Sequence, residues 1–351
     1  MVEQNNRVSE VADIASKYTT DLSKMIAQVD NEPKQKMIYS GIKEKSFGIV
    51  FGPSKSGKTI FAENLGMCVA ASVPDFLGLP LEVDNRKVLC LGLEEHYTPR
   101  TERNKKQVEK LNPEYGNEWL ANYIVINDKM PRYLNSNNDW QMLKDLINSI
   151  KPGITIIDSI THMYKGSIED SEVAKRLMQN FRELCESTDT TIIAVHHTHK
   201  LYDSVLSLDT IAGSRVIAQE TDFMIGINRT SNGCHYIKDV AFRYIPADSE
   251  KVSTFSIDEN CWINITGQTL EHKVLNQMDG RRDETTKTIV LEYITKQCTG
   301  DDTKVVTSEQ LTNEFIISSK MSRQTLFTNL QKLVDDDDII KVSKGQYKLV
   351  A

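Results

Sequence analysis

The pattern with the most specific chemical meaning is a glycine-rich segment that ends in a lysine and a hydroxyl residue. It matches G-x-x-x-x-G-K-[ST] through Gly52, Pro53, Ser54, Lys55, Ser56, Gly57, Lys58 and Thr59. Glycines at this spacing let backbone N–H groups surround a β-phosphate, Lys58 reaches the β- and γ-phosphates, and the Thr59 hydroxyl ligates Mg²⁺. The helix opened by Ile60 adds its partial positive charge. The pattern predicts a binding loop for ATP with Mg²⁺.

A hydrophobic strand that ends in an aspartate supplies a second oxygen for the metal side. Residues Gly153–Ile157 are mostly apolar, and Asp158 follows them at the strand end where open α/β sheets bind ligands. We expect Asp158 to hold Mg²⁺ through water. The alternative is a capping aspartate, since Asp158 and Ser159 also make a good capping pair.

Hydrolysis further needs a carboxylate that orients the attacking water. The apolar stretch Lys87–Leu93 ends in Glu94 and Glu95, whereas no acidic residue follows Asp158 directly. Glu94 is the first polar residue beyond the strand, so it is the predicted base, with Glu95 in reserve. The alternative is that both are solvated acids at the start of a helix.

The elements that must position these residues follow from apolar runs that alternate with amphipathic segments between Met37 and about Gly267. This alternation is typical of a parallel sheet flanked by helices. Further runs alternate in the manner of an antiparallel edge. The predicted fold class is therefore α/β with a mostly parallel central sheet. The strands are predicted at Ser46–Phe51, Lys87–Leu93, Tyr123–Ile126, Gly153–Ile157 and Thr190–Val195, and the edge at Asp222–Ile227, Tyr236–Ala241 and Thr254–Ile257.

The chain divides into four predicted segments. Residues 1–36 have the apolar spacing of a helical arm, residues 37–270 form the core, and the polar stretch 271–282 with its Asp279-Gly280 pair is a predicted linker. Residues 283–351 contain three helical segments and then two β-rich runs around Ser343-Lys344-Gly345, an order typical of a winged helix. In the version that reads DNA, the groove and phosphate contacts come from Arg323, Gln324, Thr325 and Lys344; protein interaction is the alternative.

Composition limits the remaining possibilities. The 351 residues carry a net charge of −7, which is the wrong sign for a protein that coats nucleic acid. No apolar run reaches the roughly 18 residues of a membrane span, and no secretory leader is recognisable. Six scattered cysteines without a C-x-x-C pair favour a reducing compartment, so we expect a cytoplasmic protein.

Together these residues resemble the RecA-like hexameric ATPases, in particular the plasmid RepA-type helicases and their DnaB-type relatives. The resemblance covers roughly Met37 to Ile257 and includes two further blocks. Ile192–Lys200 ends a strand in histidines, and Ala212–Asp222 contains the G-S-x-x-I-x-Q-x-x-D pattern of the relatives. The resemblance implies Glu94 as the catalytic base and His197 as the γ-phosphate sensor, with His196 as the close alternative. A packed strand end, with both histidines bonded to the backbone, is the other interpretation.

The resemblance also implies an arginine finger that acts on the neighbouring subunit of a ring. The segment Lys238–Tyr244 aligns Arg243 with that arginine, although Ala241 occupies the position where relatives carry a lysine. Lys238 or Arg229 could therefore be the finger instead, and Arg243 could be an ordinary exposed arginine.

Relatives line a central channel with the loops that follow the Asp158 and His197 strands. Here these loops are Thr161–Asp170, with Lys165, and His199–Ile211, with Lys200 and Tyr202. The resemblance implies a hexameric ring of identical subunits that acts on DNA as a replicative-helicase-like protein of a mobile element. A non-translocating regulator and a recombinase-like filament are the alternatives.

Overall fold

A mixed sheet of nine strands is the main feature of the computed structural model, which describes residues 17–198, 201, 203–213, 215–299, 304–317 and 321–350, with the main chain alone at 276–285. The strands up to the end of this sheet are β1 (Met37–Tyr39), β2 (Ile42–Lys43), β3 (Phe47–Gly52), β4 (Asp75–Phe76), β5 (Leu79–Pro80), β6 (Val88–Gly92), β7 (Tyr123–Val125), β8 (Ile154–Asp158), β9 (Thr191–His197), β10 (Phe223–Arg229), β11 (His235–Phe242), β12 (Lys251–Ile257) and β13 (Ile263–Leu270). The helices over the same range are α1 (Leu22–Asp30), α2 (Lys58–Ala71), α3 (Tyr97–Tyr115), α4 (Asn137–Ile150), α5 (Ser171–Thr188) and α6 (Val216–Glu220).

The order of strands in the sheet is β13-β12-β11-β10-β3-β9-β8-β6-β7. From β10 to β7 neighbouring strands are parallel, whereas β10 to β13 are joined antiparallel. The predicted parallel sheet with an antiparallel edge is therefore confirmed. The short pairs β1-β2 and β4-β5 lie outside this sheet.

Helices cover both faces of the sheet because each carries an apolar stripe. On one face Phe61 and Leu65 of α2 belong to the cluster that contains Val50 and Ile156 of the sheet. On the other face α4 and α5 pack against the sheet, and the ring of Phe181 stacks on Phe47 at 4.8 Å. Helices on both faces bury all but the edge of the parallel strands, so their carboxyl ends remain as the open edge for a ligand.

Two predicted boundaries differ from the structure. Strand β13 was missed because its residues are mainly polar and partly exposed, as suits the last strand of a sheet. The expected linker Glu271–Arg282 is helical and forms the first part of α7 (Glu271–Cys298). One internal glycine costs a helix only about 1 kcal/mol, so the Asp279-Gly280 signal did not end it. Of the predicted arm 1–36, the part up to residue 16 lies outside the described residues.

The C-terminal unit has its own small core. After α7 come β14 (Val306–Thr307), α8 (Ser308–Thr312), α9 (Arg323–Asp335), β15 (Ile339–Ser343) and β16 (Gln346–Leu349), and the strands pair antiparallel in the order β14-β16-β15. The predicted apolar face of the third helix is confirmed, since Leu326, Leu330 and Leu333 are buried against α7 residues such as Val290. No helix in the described ranges combines the length and the apolar character that a bilayer span requires.

Candidate nucleotide site

The loop Gly52–Thr59 joins β3 to α2, and its two glycines permit its shape. A Cβ on Gly52 would stand 1.8 Å from the carbonyl oxygen of Ile227, so only glycine fits there. Gly57 has φ of 109°, a backbone conformation that favours glycine, and it is the N-cap residue of α2. The helix therefore starts with its free N–H groups turned toward the end of β3, the arrangement that binds phosphate.

The Lys58 side chain lies along this loop. Its ammonium donates to the carbonyl oxygen of Pro53 at 2.7 Å. Burial lowers the pKa of Lys58 to about 8, opposed by the charges of Asp158 and Glu94. A bound phosphate would compensate a buried ammonium that has no carboxylate partner among its described hydrogen bonds.

The two predicted metal ligands meet directly. Thr59 Oγ1 donates to Asp158 Oδ2 at 2.5 Å, and Asp158 is the last residue of β8. Burial raises the pKa of Asp158 to about 6, although the hydrogen bond from Thr59 opposes that rise. The capping alternative is not what the structure shows, because the 3₁₀ turn that follows has Ser159 at its N-cap position.

These two oxygens fit a magnesium ion that shares its coordination with a nucleotide. Mg²⁺ is typically held by one or two protein oxygens together with phosphates and water. Among the described residues no group of three or more His, Cys, Asp and Glu side chains forms a cage that could hold a metal by itself. The hydroxyl of Thr59 and the buried carboxylate of Asp158 thus suit a metal delivered with ATP.

Glu94 lies beside this pair because of the strand order. Strand β6 is the neighbour of β8, with Gly92 opposite Asp158, and the N–H groups of Leu93 and Glu94 donate to the Asp158 carbonyl at 2.6 and 3.2 Å. The Glu94 carboxylate lies 3.6 Å from His197 Nε2. The hydrogen bond with His197, opposed by partial burial, lowers the pKa of Glu94 to about 2.

The structure separates the residues that the sequence left as alternatives. Glu95 turns away from Glu94, since its Oε2 lies 2.6 Å from Arg103 Nη1. His196 is buried, with Nε2 2.7 Å from the carbonyl oxygen of Ala212, whereas His197 is partly exposed beside Glu94. Glu94 and His197 therefore face each other across the end of the sheet.

Arg243 lies at the other edge of the sheet. It follows β11, whose Phe242 pairs with Phe223, and Phe223 in turn pairs with Gly48 near the start of β3. At about 3.3 Å per residue this places Arg243 roughly 13 Å along the sheet from Gly52. Its Nε lies 3.1 Å from the buried Asp222. Arg243 thus cannot contact a nucleotide bound to its own phosphate loop.

The alternative fingers lie in different surroundings. Lys238 is buried in an ion pair with Glu271 and donates to the Leu206 carbonyl at 2.6 Å, so it is not available to a neighbouring subunit. The suggestion of Lys238 was wrong for this reason. Arg229 is exposed and ends β10, at the same edge of the sheet as the phosphate loop.

The two predicted channel loops are only partly described. Lys165 lies between β8 and α5, and Glu169 of the same loop accepts a hydrogen bond from the Gly213 N–H at 3.1 Å. Lys200 and Tyr202, together with His199, lie outside the described residues. The hydrogen bond to Gly213 ties the first loop to the segment after the second.

Sequence reasoning missed several residues around the cavity of about 580 Å³ that the phosphate loop and Glu94 line. Arg100 and Arg103 enter from α3, Glu63 from α2 and Ile257 from β12. His235 also touches the loop, with Nδ1 3.0 Å from the Ser56 carbonyl oxygen. These residues sit among many charged neighbours and match no motif, so only the tertiary fold reveals them.

The strand order and the phosphate loop define the class: this is a P-loop ATPase domain with a RecA-like core. The chain belongs to the AAA_25 family, whose model, described as an AAA domain, matches residues 16–203. No curated protein gives a significant match.

Solved structures share the fold at low sequence identity. One of them, an isolated ATPase domain, has a TM-score of 0.51 at 13% identity, covering 70% of this chain and 98% of that domain. A KaiC-like protein from the hyperthermophilic archaeon Pyrococcus horikoshii OT3 has a TM-score of 0.47 at 13% identity, covering 67% of this chain and 100% of that one. The similarity to the ATPase domain is one of fold alone.

Proposed function

We propose that this chain is an Mg²⁺-dependent ATPase that assembles into a ring, a hexamer, and acts on DNA as a replicative-helicase-like protein of a plasmid, phage or other mobile element. The observation that carries the proposal is the meeting of Lys58, Thr59, Asp158, Glu94 and His197 at one edge of the sheet. Register produces this meeting, since Gly52 lies opposite His197 and Asp158 opposite both Val195 and Gly92.

Each of these side chains has a distinct part in hydrolysis. Lys58 leaves the Pro53 carbonyl and binds the β- and γ-phosphates, while the N–H groups of the loop hold the β-phosphate. Thr59 and Asp158 hold the metal side, Thr59 directly and Asp158 through water. Mg²⁺, when bound with ATP, supplies positive charge that offsets the charge gathering on the phosphate oxygens.

Glu94 orients the attacking water. With a pKa of about 2, the carboxylate stays ionised at neutral pH and accepts a hydrogen bond from that water. His197 lies between Glu94 and the end of β3, where it can contact the γ-phosphate and report its loss to Glu94. This pairing supports the role of sensor for His197 rather than for His196.

Assembly is supported by the position of Arg243. Because it lies at the edge opposite its own phosphate loop, it can serve only a nucleotide held by another subunit. An arginine supplied in trans stabilises the charge of the transferred phosphoryl group. We propose a ring in which ATP lies between subunits, with Arg243 of one facing Lys58 of the next.

The DNA contacts are proposed from the loops and from the C-terminal unit. Lys165 and Lys200 would face the strand in the channel. Arg323 and Gln324 are exposed at the start of α9, and Lys344 is exposed in the β15-β16 turn, where a winged helix would contact duplex. Thr325 is half-buried and its hydroxyl bonds Ser322 at 2.8 Å, so it serves the helix cap as well.

The test is ATP hydrolysis with and without single-stranded DNA, run beside a mass measurement of the assembly. We expect hydrolysis that requires Mg²⁺, is stimulated by DNA and coincides with a closed ring. Lys58→Ala is the control and should fold but lose nucleotide binding or turnover. Hydrolysis indifferent to DNA in a ring would favour the non-translocating regulator, and an open filament on DNA would favour the recombinase-like alternative.

A further inference from the structure

A charged triad joins three elements beside the nucleotide cavity. Glu63 lies in α2 one turn beyond Thr59, Arg103 lies in α3, and Glu95 follows β6. Arg103 Nε and Nη2 donate to the two oxygens of Glu63 at 2.8 Å each. Its remaining nitrogen, Nη1, lies 2.6 Å from Glu95 Oε2. One guanidinium thus binds two carboxylates at once, which its planar set of donors allows and a lysine ammonium does not.

The Glu63 end of the triad is rigid. Glu63 is 3% exposed, and its Oε2 also accepts from Gln107 Nε2 at 3.1 Å. Side-on pairing with Arg103 fixes the orientation of both planar groups. The α2 helix, which begins at the phosphate loop, is therefore tied to α3 at a point that cannot rotate freely.

The Glu95 end acts on the segment that carries the proposed base. Backbone N–H groups of Leu93 and Glu94 bond to the Asp158 carbonyl, so the main chain is held on the side of β8. Arg103 then holds the Glu95 side chain on the side of α3. With the main chain and the next side chain both fixed, the Glu94 carboxylate is directed to the remaining side, where His197 lies.

We propose that Arg103 is a positioning residue for ATP hydrolysis, which acts by holding Glu95 against Glu63 so that Glu94 faces the attacking water. The inference rests on the proposed role of Glu94 as the base. Arg103 itself makes no contact with the reacting atoms in this role. The triad also ties the geometry of Glu94 to the helix that holds the phosphates, so base and nucleotide keep their relative position.

The deciding variant is Glu95→Ala, because Glu95 is partly exposed and its loss leaves the buried Glu63–Arg103 pair intact. We expect kcat to fall roughly 10-fold with KM for ATP unchanged, since small misplacements of a catalytic group cost rate rather than binding. Arg103→Lys should give the same split, because lysine can keep Glu63 but not both carboxylates. Glu102→Ala, an exposed acid of the same helix, is the matched control and should change neither constant.

The proposal is decided by combining Glu95→Ala with Glu94→Gln. A residue that acts through Glu94 has nothing left to position in that background, so the double variant should hydrolyse ATP at the rate of Glu94→Gln alone. A further loss of about 10-fold in the double variant, or an unchanged kcat in Glu95→Ala, would overturn the proposal. If instead Glu94→Gln retains the wild-type rate, the assignment of the base is wrong, and the positioning role is overturned with it.

Discussion

The Thr59 hydroxyl donates a 2.5 Å hydrogen bond to the Asp158 carboxylate, which is 8% exposed at the end of β8. This contact joins the phosphate loop to the strand two positions away in the sheet, across β9. The carboxylate is placed for a metal and not for the stability of the protein without nucleotide, because burial of the charge raises its pKa to about 6.

We therefore predict that Asp158→Asn stabilises the nucleotide-free protein while it abolishes Mg²⁺-dependent hydrolysis. The folded pKa of Asp158 lies above its value of 3.8 in an unfolded chain, so the cost of the buried charge is absent below about pH 4 and complete above about pH 6. A shift of about 2 units corresponds to at most about 3 kcal/mol in the free energy of unfolding.

The measurement is denaturant unfolding of wild type and Asp158→Asn at about pH 4 and about pH 8, without nucleotide. The variant should gain stability at the higher pH and little at the lower one. Asp128→Asn, which changes an exposed aspartate, is the control and should change little at either pH. An equal gain at both pH values would show that charge burial is not the cause.

Glu94→Gln should bind ATP normally and hydrolyse it at least about 100-fold more slowly, a reasonable loss for a positioned base. The amide keeps the size of the side chain but cannot accept the water's proton. Single-turnover hydrolysis together with nucleotide binding measures the two effects separately. If Glu95→Gln shows this loss and Glu94→Gln does not, the base is the neighbouring residue.

The phosphate loop, the parallel sheet and the strand-end acids could be predicted from the sequence because each depends on local pattern. Periodicity places Asp158 and Glu94 at strand ends, and parallel strands bring those ends together whatever the details of packing. The roles of Arg103 and Glu271 could not be predicted in this way. Each depends on partners far along the chain, such as Glu63 for Arg103 and Lys238 for Glu271.

The helical start of α7 sharpens the expected domain boundary. Glu271 is buried and pairs with Lys238, and its Oε1 accepts from the Leu206 N–H at 2.8 Å. Deletion of 283–351 keeps these contacts, so we predict a folded ATPase core. Deletion of 271–351 leaves Lys238 buried without its carboxylate, at a cost of about 3–5 kcal/mol.

Thermal unfolding of the two truncated proteins decides this prediction. The protein that ends at residue 282 should unfold cooperatively and bind ATP, and the protein that ends at residue 270 should have a much lower unfolding temperature or be insoluble. Equal stability of the two would mean that Glu271 contributes little. Failure of the longer protein to fold would show that residues 283–351 are part of the core.

Arg243→Ala tests assembly and chemistry together. Arg182 also pairs with Asp222, at 2.7 Å, so the buried carboxylate keeps a partner when Arg243 is removed. If Arg243 acts on the neighbouring subunit, the variant should bind ATP nearly normally and lose roughly 10³-fold in hydrolysis. Arg229→Ala is the parallel variant for the alternative finger, and a loss there with an active Arg243→Ala would transfer the role to Arg229.

Mixed rings then separate a finger from an arginine that only supports its own strand. Arg243→Ala subunits carry an intact Glu94, and Glu94→Gln subunits carry an intact Arg243. Where the two meet in the right order, one interface contains both groups and hydrolysis should recover in part, measured as a rise above the sum of the separate variants at equal total protein. An arginine that acts within its own subunit cannot be complemented in this way. No recovery, under conditions where labelled subunits are seen to exchange, would assign Arg243 to the support of Asp222 and remove it from the chemistry.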